Sequence, residues 1–276
     1  SDNNYNRPFG LMLQTGKWKP DLLGIPTEAQ FLYTANMGLM FGAKLLALDN
    51  YFYDNSETGK TSLYNTITGE YSSLWFTIKD ILSPRLKGLM GKTLRHLNQE
   101  HQEIGIVSNT GNLSNINYGK VQYIHNSTLG TGLNIITDIG FFNSIEPLKN
   151  YFMIVNRYYI RRHYNVILSP DDYDYFQIGF KDLVGYQNWS LNNLTDTICT
   201  ALTKNSSNEA IHNETIPAGD GKLYSLAPTV LYGGELTSDE AITERISLRG
   251  DLVIGNGKTL TVNYIYDVYG DIIIKD

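Results

Sequence analysis

The chain opens with short runs in which nearly every position is apolar. Phe9 to Gln14 reads Phe-Gly-Leu-Met-Leu-Gln, and Lys44 to Leu48 is similar. Such runs suit strands buried on both faces, as in a parallel sheet. Between them, Pro26-Thr27-Glu28 predicts a helix start, because proline pre-sets the dihedral and the acid suits the positive end of the helix dipole. Ala29, Leu32, Ala35 and Leu39 follow at helical spacing, and Gly42 predicts a left-handed cap. Gly16 to Gly24 reads as a loop containing Trp18, and a Gly/Ser/Thr-rich loop runs to about Gly69. Glu70 to Leu82 is amphipathic, with Leu74, Ile78 and Ile81 on one stripe. Pro84 predicts a break there, followed by a further helix to about Gln99.

The pattern changes near Gly105. From there to Leu226 the runs are short, aromatic and β-branched, with turn residues between them. Val121 to His125 alternates, as do parts of Tyr151 to Asn156, Tyr164 to Leu168 and Tyr173 to Phe180. Ser169-Pro170-Asp171-Asp172 and Ala218-Gly219-Asp220-Gly221 supply turns. This spacing predicts an antiparallel sandwich. In the last 50 or so residues, Gly250-Asp251-Leu252-Val253-Ile254 recurs 20 residues later as Gly270-Asp271-Ile272-Ile273-Ile274. The recurrence fits two rungs of a β-solenoid, or equally a hairpin of two similar strands.

Composition narrows the function. The 276 residues are 42% hydrophobic and 18% charged, enough to fill a core. The net charge of −6, with Arg161-Arg162 as the densest basic spot, argues against a nucleic-acid surface. No apolar run approaches the ~20 residues that span a bilayer. Ser1-Asp2-Asn3-Asn4 has no charged or apolar leader segment, although a mature chain would have lost one. The single cysteine, Cys199, forbids an internal disulfide, and its apolar neighbours predict a buried, inert thiol. The five histidines lack ligand spacing, and Asp171, Asp172 and Asp174 lack the pattern of a calcium loop, so no metal or cofactor is expected. Walker, dinucleotide and nucleophile-elbow motifs are absent. The 20 tyrosines and scattered asparagines suit sugar-facing surfaces, or simply an AT-rich coding bias.

The segments Pro8 to Gln14, Ile25 to Gln30 and Gly42 to Leu48, followed by the aromatics Tyr51, Phe52 and Tyr53, resemble the seventh and eighth βα units of a glycoside-hydrolase (β/α)8 barrel. Ile216 to Tyr224 is similar to the hairpin that closes the β-sandwich behind such barrels, and Asn156-Arg157 fits that sandwich too. The resemblance implies an α/β region followed by an all-β region. Residues 1–104 would be the C-terminal portion of a TIM-type barrel and 105–228 an antiparallel β-sandwich. Residues 229–276 would be a β-rich tail or the start of a further domain.

It also implies a role: the C-terminal portion of a secreted glycoside hydrolase-like protein, forming one wall of a sugar cleft. The partners would be a carbohydrate and either the rest of a parent polypeptide or a secretion or surface assembly, with an extracellular or cell-surface location. The alternative is a non-catalytic carbohydrate-binding, adhesin or export-cargo protein. Hydrolysis needs two carboxylates across the scissile bond. One is expected upstream of Ser1, and the seventh-strand position is Gln14, an amide that cannot act as a base, so no catalytic residue is assigned. The substrate-binding candidates are Gln14 and Asp49 at the two strand ends, and Trp18, Tyr51 and Tyr53 as an aromatic platform. Each has a plainer reading: a polar strand end, a turn-forming aspartate, or aromatics filling a rim.

Overall fold

The computed structural model describes residues 8–15, 26–49, 52–53, 63–65, 68–108, 115–116, 118–125, 135–143, 148–157, 175–242, 246–248, 250–263, 266–268 and 270–276. Strand β1 (Gly10–Gln14) pairs in parallel with β2 (Leu45–Asp49), and helix α1 (Glu28–Met40) connects them. The local signals act as a unit. Thr27 is the N-cap, its hydroxyl accepting from the Gln30 amide while the Gln30 side chain accepts from the Thr27 amide. Pro26 therefore sits one residue before the cap. Gly42 (φ 90°) reverses the chain after the helix. Beyond β2, β3 (Phe52–Tyr53) pairs in parallel with β4 (Tyr64–Asn65).

A broken helical stretch follows: α2 (Ser73–Phe76), a π-helical turn over Thr77–Leu82, α3 (Ser83–Lys87) and α4 (Leu89–Leu94). Pro84 does not stop the helix. It falls in the first turn of α3, where the preceding wide turn leaves its missing N–H without consequence. The helix expected to reach Gln99 ends sooner, because Asn98 opens a long strand.

From there the chain is β. Strands β5 (Asn98–Ser108), β7 (Ile135–Asn143), β8 (Asn150–Asn156), β10 (Trp189–Asn193), β11 (Ile198–Leu202) and β13 (Gly221–Pro228) form a six-stranded antiparallel sheet in the order β11-β10-β13-β8-β7-β5. Strands β6 (Val121–His125), β9 (Tyr175–Phe180) and β12 (Ala210–Thr215) form a second antiparallel sheet, ordered β12-β9-β6. Their facing side chains make the main core, with Phe152, Ile154, Tyr224 and Leu226 from the large sheet against Ile124, Phe176, Ile178 and Phe180. The turn at Pro217–Asp220 links β12 in one sheet to β13 in the other, so it is a corner between sheets and not a hairpin within one.

The other face of the large sheet is covered by helices. Leu39 and Met40 of α1, with Met90 and Leu94 of α4, pack on Phe142, Tyr151, Met153, Val155 and Leu223. The opposite side of α1, Phe31 and Ala35, closes over Leu13, Leu63, Leu74 and Leu82. Each such buried side chain is worth roughly 1.5–3 kcal/mol.

This arrangement corrects the expectation of an α/β region built from the last βα units of a TIM-type barrel. Among the described residues there are 20 strands but only four α-helical segments, of which α1 alone exceeds six residues. The parallel β1–β2 pair has two strands, and α1 is spent covering an antiparallel sheet. A barrel needs a ring of helices around a closed parallel sheet. The described residues are mostly β, with the helices confined to residues 28–94.

The last segment is a parallel coil with three faces. One face carries β14 (Gly234–Glu235), β17 (Leu252–Ile254) and β20 (Ile272–Ile274). The second pairs β15 (Glu240–Ile242) with β18 (Leu260–Val262), and the third pairs β16 (Ile246–Leu248) with β19 (Tyr266–Val268). Leu252 aligns with Ile272 in parallel, which excludes a hairpin for that recurrence. Leu236, Ile242, Leu248 and Leu252 fill the coil and continue into Ala227, Val230 and Leu231 at the end of the sandwich. Glu240 helps hold the join by accepting a hydrogen bond from the Asn188 amide at 2.9 Å, and Asn188 also donates to Ser238.

Candidate functional site

Gln14 and Asp49 are the last residues of β1 and β2, and they are register partners. Parallel neighbours lie ~5 Å apart, and partners share a face. The structure therefore sets an amide beside a carboxylate at the carboxyl end of a parallel pair. Both side chains are half-buried. Thr15 fixes this end: its amide and its hydroxyl both donate to the Asp49 carbonyl.

A side-chain amide and a carboxylate between them carry both donor and acceptor groups. Sugar hydroxyls, which both donate and accept, are recognised by groups of these two kinds. Of the two carboxylates that glycoside hydrolysis requires, these two strands supply one.

Of the aromatic candidates, Trp18 and Tyr51 lie outside the described residues, and for Tyr53 only the backbone is described, as the register partner of Asn65 in β3–β4. The structure adds aromatics that the sequence reading passed over. Tyr64 lies 5.0 Å from Tyr71, which stacks on Trp75 at 4.8 Å with 19° between planes. Tyr71 is exposed. Leu63 and Leu74, the neighbours of Tyr64 and Trp75, share a core with Leu13, the neighbour of Gln14. The i, i+4 spacing of Tyr71 and Trp75 was a readable signal, but their stacking across a helix start was not.

Three buried ionic clusters lie elsewhere. Asp138, fully buried, accepts from Gly105 N, the Arg157 Nε and Nη2 and the Tyr33 hydroxyl. Asp220 accepts from Arg85 and Asn36. Glu214 accepts from Lys222 (3.0 Å), Tyr224 (3.1 Å) and Asn193 (3.1 Å), and Lys222 also meets Asp196 at 2.7 Å. Burial alone would raise the Glu214 carboxyl, but His212 and the Lys222 charge outweigh it and hold the pKa at about 2. These groups bond one another across layers: α1 to the large sheet in the first, α1 and α3 to the corner before β13 in the second, sheet to sheet in the third. They are fasteners, and each has its partners inside the fold.

Cys199 reaches the surface on edge strand β11, contrary to the buried position expected. Its apolar neighbours alternate faces on a strand, which a run of letters does not display. Packing around the sulfur, partly offset by Ser190, still raises its pKa, which disfavours the thiolate. Among the described residues no group of three or more His, Cys, Asp or Glu could hold a metal. No helix among them is long and apolar enough to cross a membrane. Comparison of the chain with protein-family models, with curated proteins and with solved structures gave no match to any of the three.

Proposed function

We propose that this chain is a non-catalytic carbohydrate-binding protein of the cell surface or extracellular space, with the carboxyl end of the β1–β2 pair as one wall of its sugar site. The observation that carries the reading is the pairing of Gln14 with Asp49. An amide and a single carboxylate, side by side and anchored by Thr15, suit hydroxyl recognition and lack the second acid of a hydrolase. The exposed Tyr71 stacked on Trp75, rooted in the same core, adds a ring surface of the kind that packs on the apolar face of a pyranose.

The test is retention on a broad glycan array by the native chain and by Gln14→Ala and Asp49→Ala. Retention on at least one glycan class, weakened roughly tenfold or more in each variant as expected for lost bonds to a charged or fixed partner, supports the reading. Absence of retention on the whole array overturns it, as does retention that both variants preserve.

A further inference from the structure

We propose that strand β11 is a self-association surface, through which two copies of this chain join their large sheets edge to edge about a two-fold axis at Thr200. An edge strand offers unpaired backbone groups, and folded chains blunt such edges with charges, prolines or bulges. The two edges of the large sheet differ in this respect. Strand β5 carries Glu100, His101 and Glu103, and its register shifts between Gln99 and His101 and again between Glu103 and Ile106. Strand β11 reads Ile-Cys-Thr-Ala-Leu, with no charge and no proline, and it pairs with β10 without a shift. Ile198, Cys199 and Ala201 are exposed, Ile198 by 55%.

The backbone fixes which groups face outward. The Leu194 amide donates to the Leu223 carbonyl, and the Asn188 carbonyl accepts from the Thr229 amide, so positions 188 and 194 point toward β13. Direction alternates along an extended strand, so Trp189, Leu191 and Asn193 bond β11 through their register partners Leu202, Thr200 and Ile198. The amides and carbonyls of Cys199 and Ala201 therefore point away from the sheet. Neither residue has a backbone partner on that side among the described residues.

These two residues set the register of a second copy. With the strands antiparallel and Thr200 on the axis, Cys199 lies opposite the partner's Ala201, and Ala201 opposite the partner's Cys199. Both are hydrogen-bonded pairs, so every outward amide and carbonyl of the edge finds a partner. Ile198 then lies opposite the partner's Leu202, apolar on apolar. The same axis brings the Asp196 end of the strand beside the Lys204 end of the partner subunit, so the flanking charges are opposite in sign. Asp196 keeps its pairing with Lys222, and Lys204 keeps the Leu183 and Tyr186 carbonyls. A neutral strand that is its own complement in backbone, side chains and flanking charge fits a second copy better than an unrelated peptide. The join is short, which places the dimer among weak specific interfaces.

The experiment is sedimentation equilibrium of the full chain in reductant over a range of concentrations, with separate cross-linking at Cys199, its single cysteine. Concentration-dependent doubling of the mass is expected. In the proposed register the two copies of Cys199 are diagonal neighbours on one face, roughly 7–8 Å apart, so a short bismaleimide should join them into a covalent dimer. Ala201→Pro removes an outward N–H and no bond of the single chain. It is expected to weaken association at least tenfold and to abolish the cross-link, with the melting temperature unchanged. Ala201→Lys puts a charge on the same exposed edge and is expected to do the same, and it decides the matter should the proline variant fail to fold. A chain that stays monomeric at every concentration overturns the proposal. So does association that either folded variant preserves, or a dimer in which Cys199 cannot be cross-linked.

Discussion

Arg85 and Asp220 form a two-pronged pair, with the guanidinium nitrogens donating to the two carboxylate oxygens at 2.5 and 2.8 Å. The residues are 135 apart in sequence, and the pair ties α3 to the corner between the two sandwich sheets. Asp220 also accepts from Asn36 on α1 and from the Gly221 amide. Asp220→Ala would leave the Arg85 charge, only 17% exposed, and two further donors without their acceptor. The expected loss is about 3 kcal/mol in urea unfolding, and Asp220→Asn should recover only part of it.

Gly219, in the same corner, has φ 75°, and a Cβ there would come within 2.0 Å of the Ala29 carbonyl oxygen on α1. Backbone cannot yield as a side chain can. Gly219→Ala is therefore expected to lose at least ~3 kcal/mol, from the left-handed conformation and the displaced helix together, read as a lowered urea midpoint.

Glu214 makes stability fall in acid. Its folded pKa of about 2 lies below the ordinary carboxylate value, so the native state releases this proton more readily than the unfolded chain. The contribution is complete above pH ~4.5 and is lost as pH falls toward ~2, with a size on the order of 2 kcal/mol. Melting temperature followed across that range should drop less steeply in Glu214→Gln.

Glu240 has the opposite sign. Burial pushes its carboxyl up, against the hydrogen bond from Asn188, so the native state holds this proton more tightly than the unfolded chain. Its ionisation subtracts from stability as pH rises through the ordinary carboxylate value. Glu240→Gln keeps an acceptor for the Asn188 amide and removes the buried charge. The variant is expected to melt no lower than the native chain at pH 7, and the native chain should gain on it as pH falls toward the ordinary carboxylate value and Glu240 takes up its proton.

What could be read from the sequence was local. The run Phe9–Gln14, the Thr27 cap, the spacing along α1 and the second run at Lys44 are short-range signals, and the parallel pair with its connecting helix follows from them. What α1 packs against is set by partners more than 100 residues away: Tyr33 meets Asp138, and Asn36 meets Gly219 and Asp220. No periodicity encodes such contacts, so a helix flanked by parallel strands looked like part of a barrel. Gln14 and Asp49 were visible as polar strand ends, but their adjacency depends on a register set by backbone pairing.

The parallel coil constrains how this protein can change in length. Leu252 lies over Ile272 and Leu260 over Glu240, so from β15 onward each face restarts after 20 residues, whereas the first step, Gly234 to Leu252, takes 18. A single residue inserted into one of its three-residue strands would invert every inward and outward position after it, taking the apolar stripe out of the coil. A duplicated block of 20 residues would add a complete turn and preserve the stripe, extending the coil by one strand spacing of ~4.8 Å. Variation in this segment should therefore come in whole turns or be confined to the corners, much as a stack of identical tiles can gain a tile but not half of one.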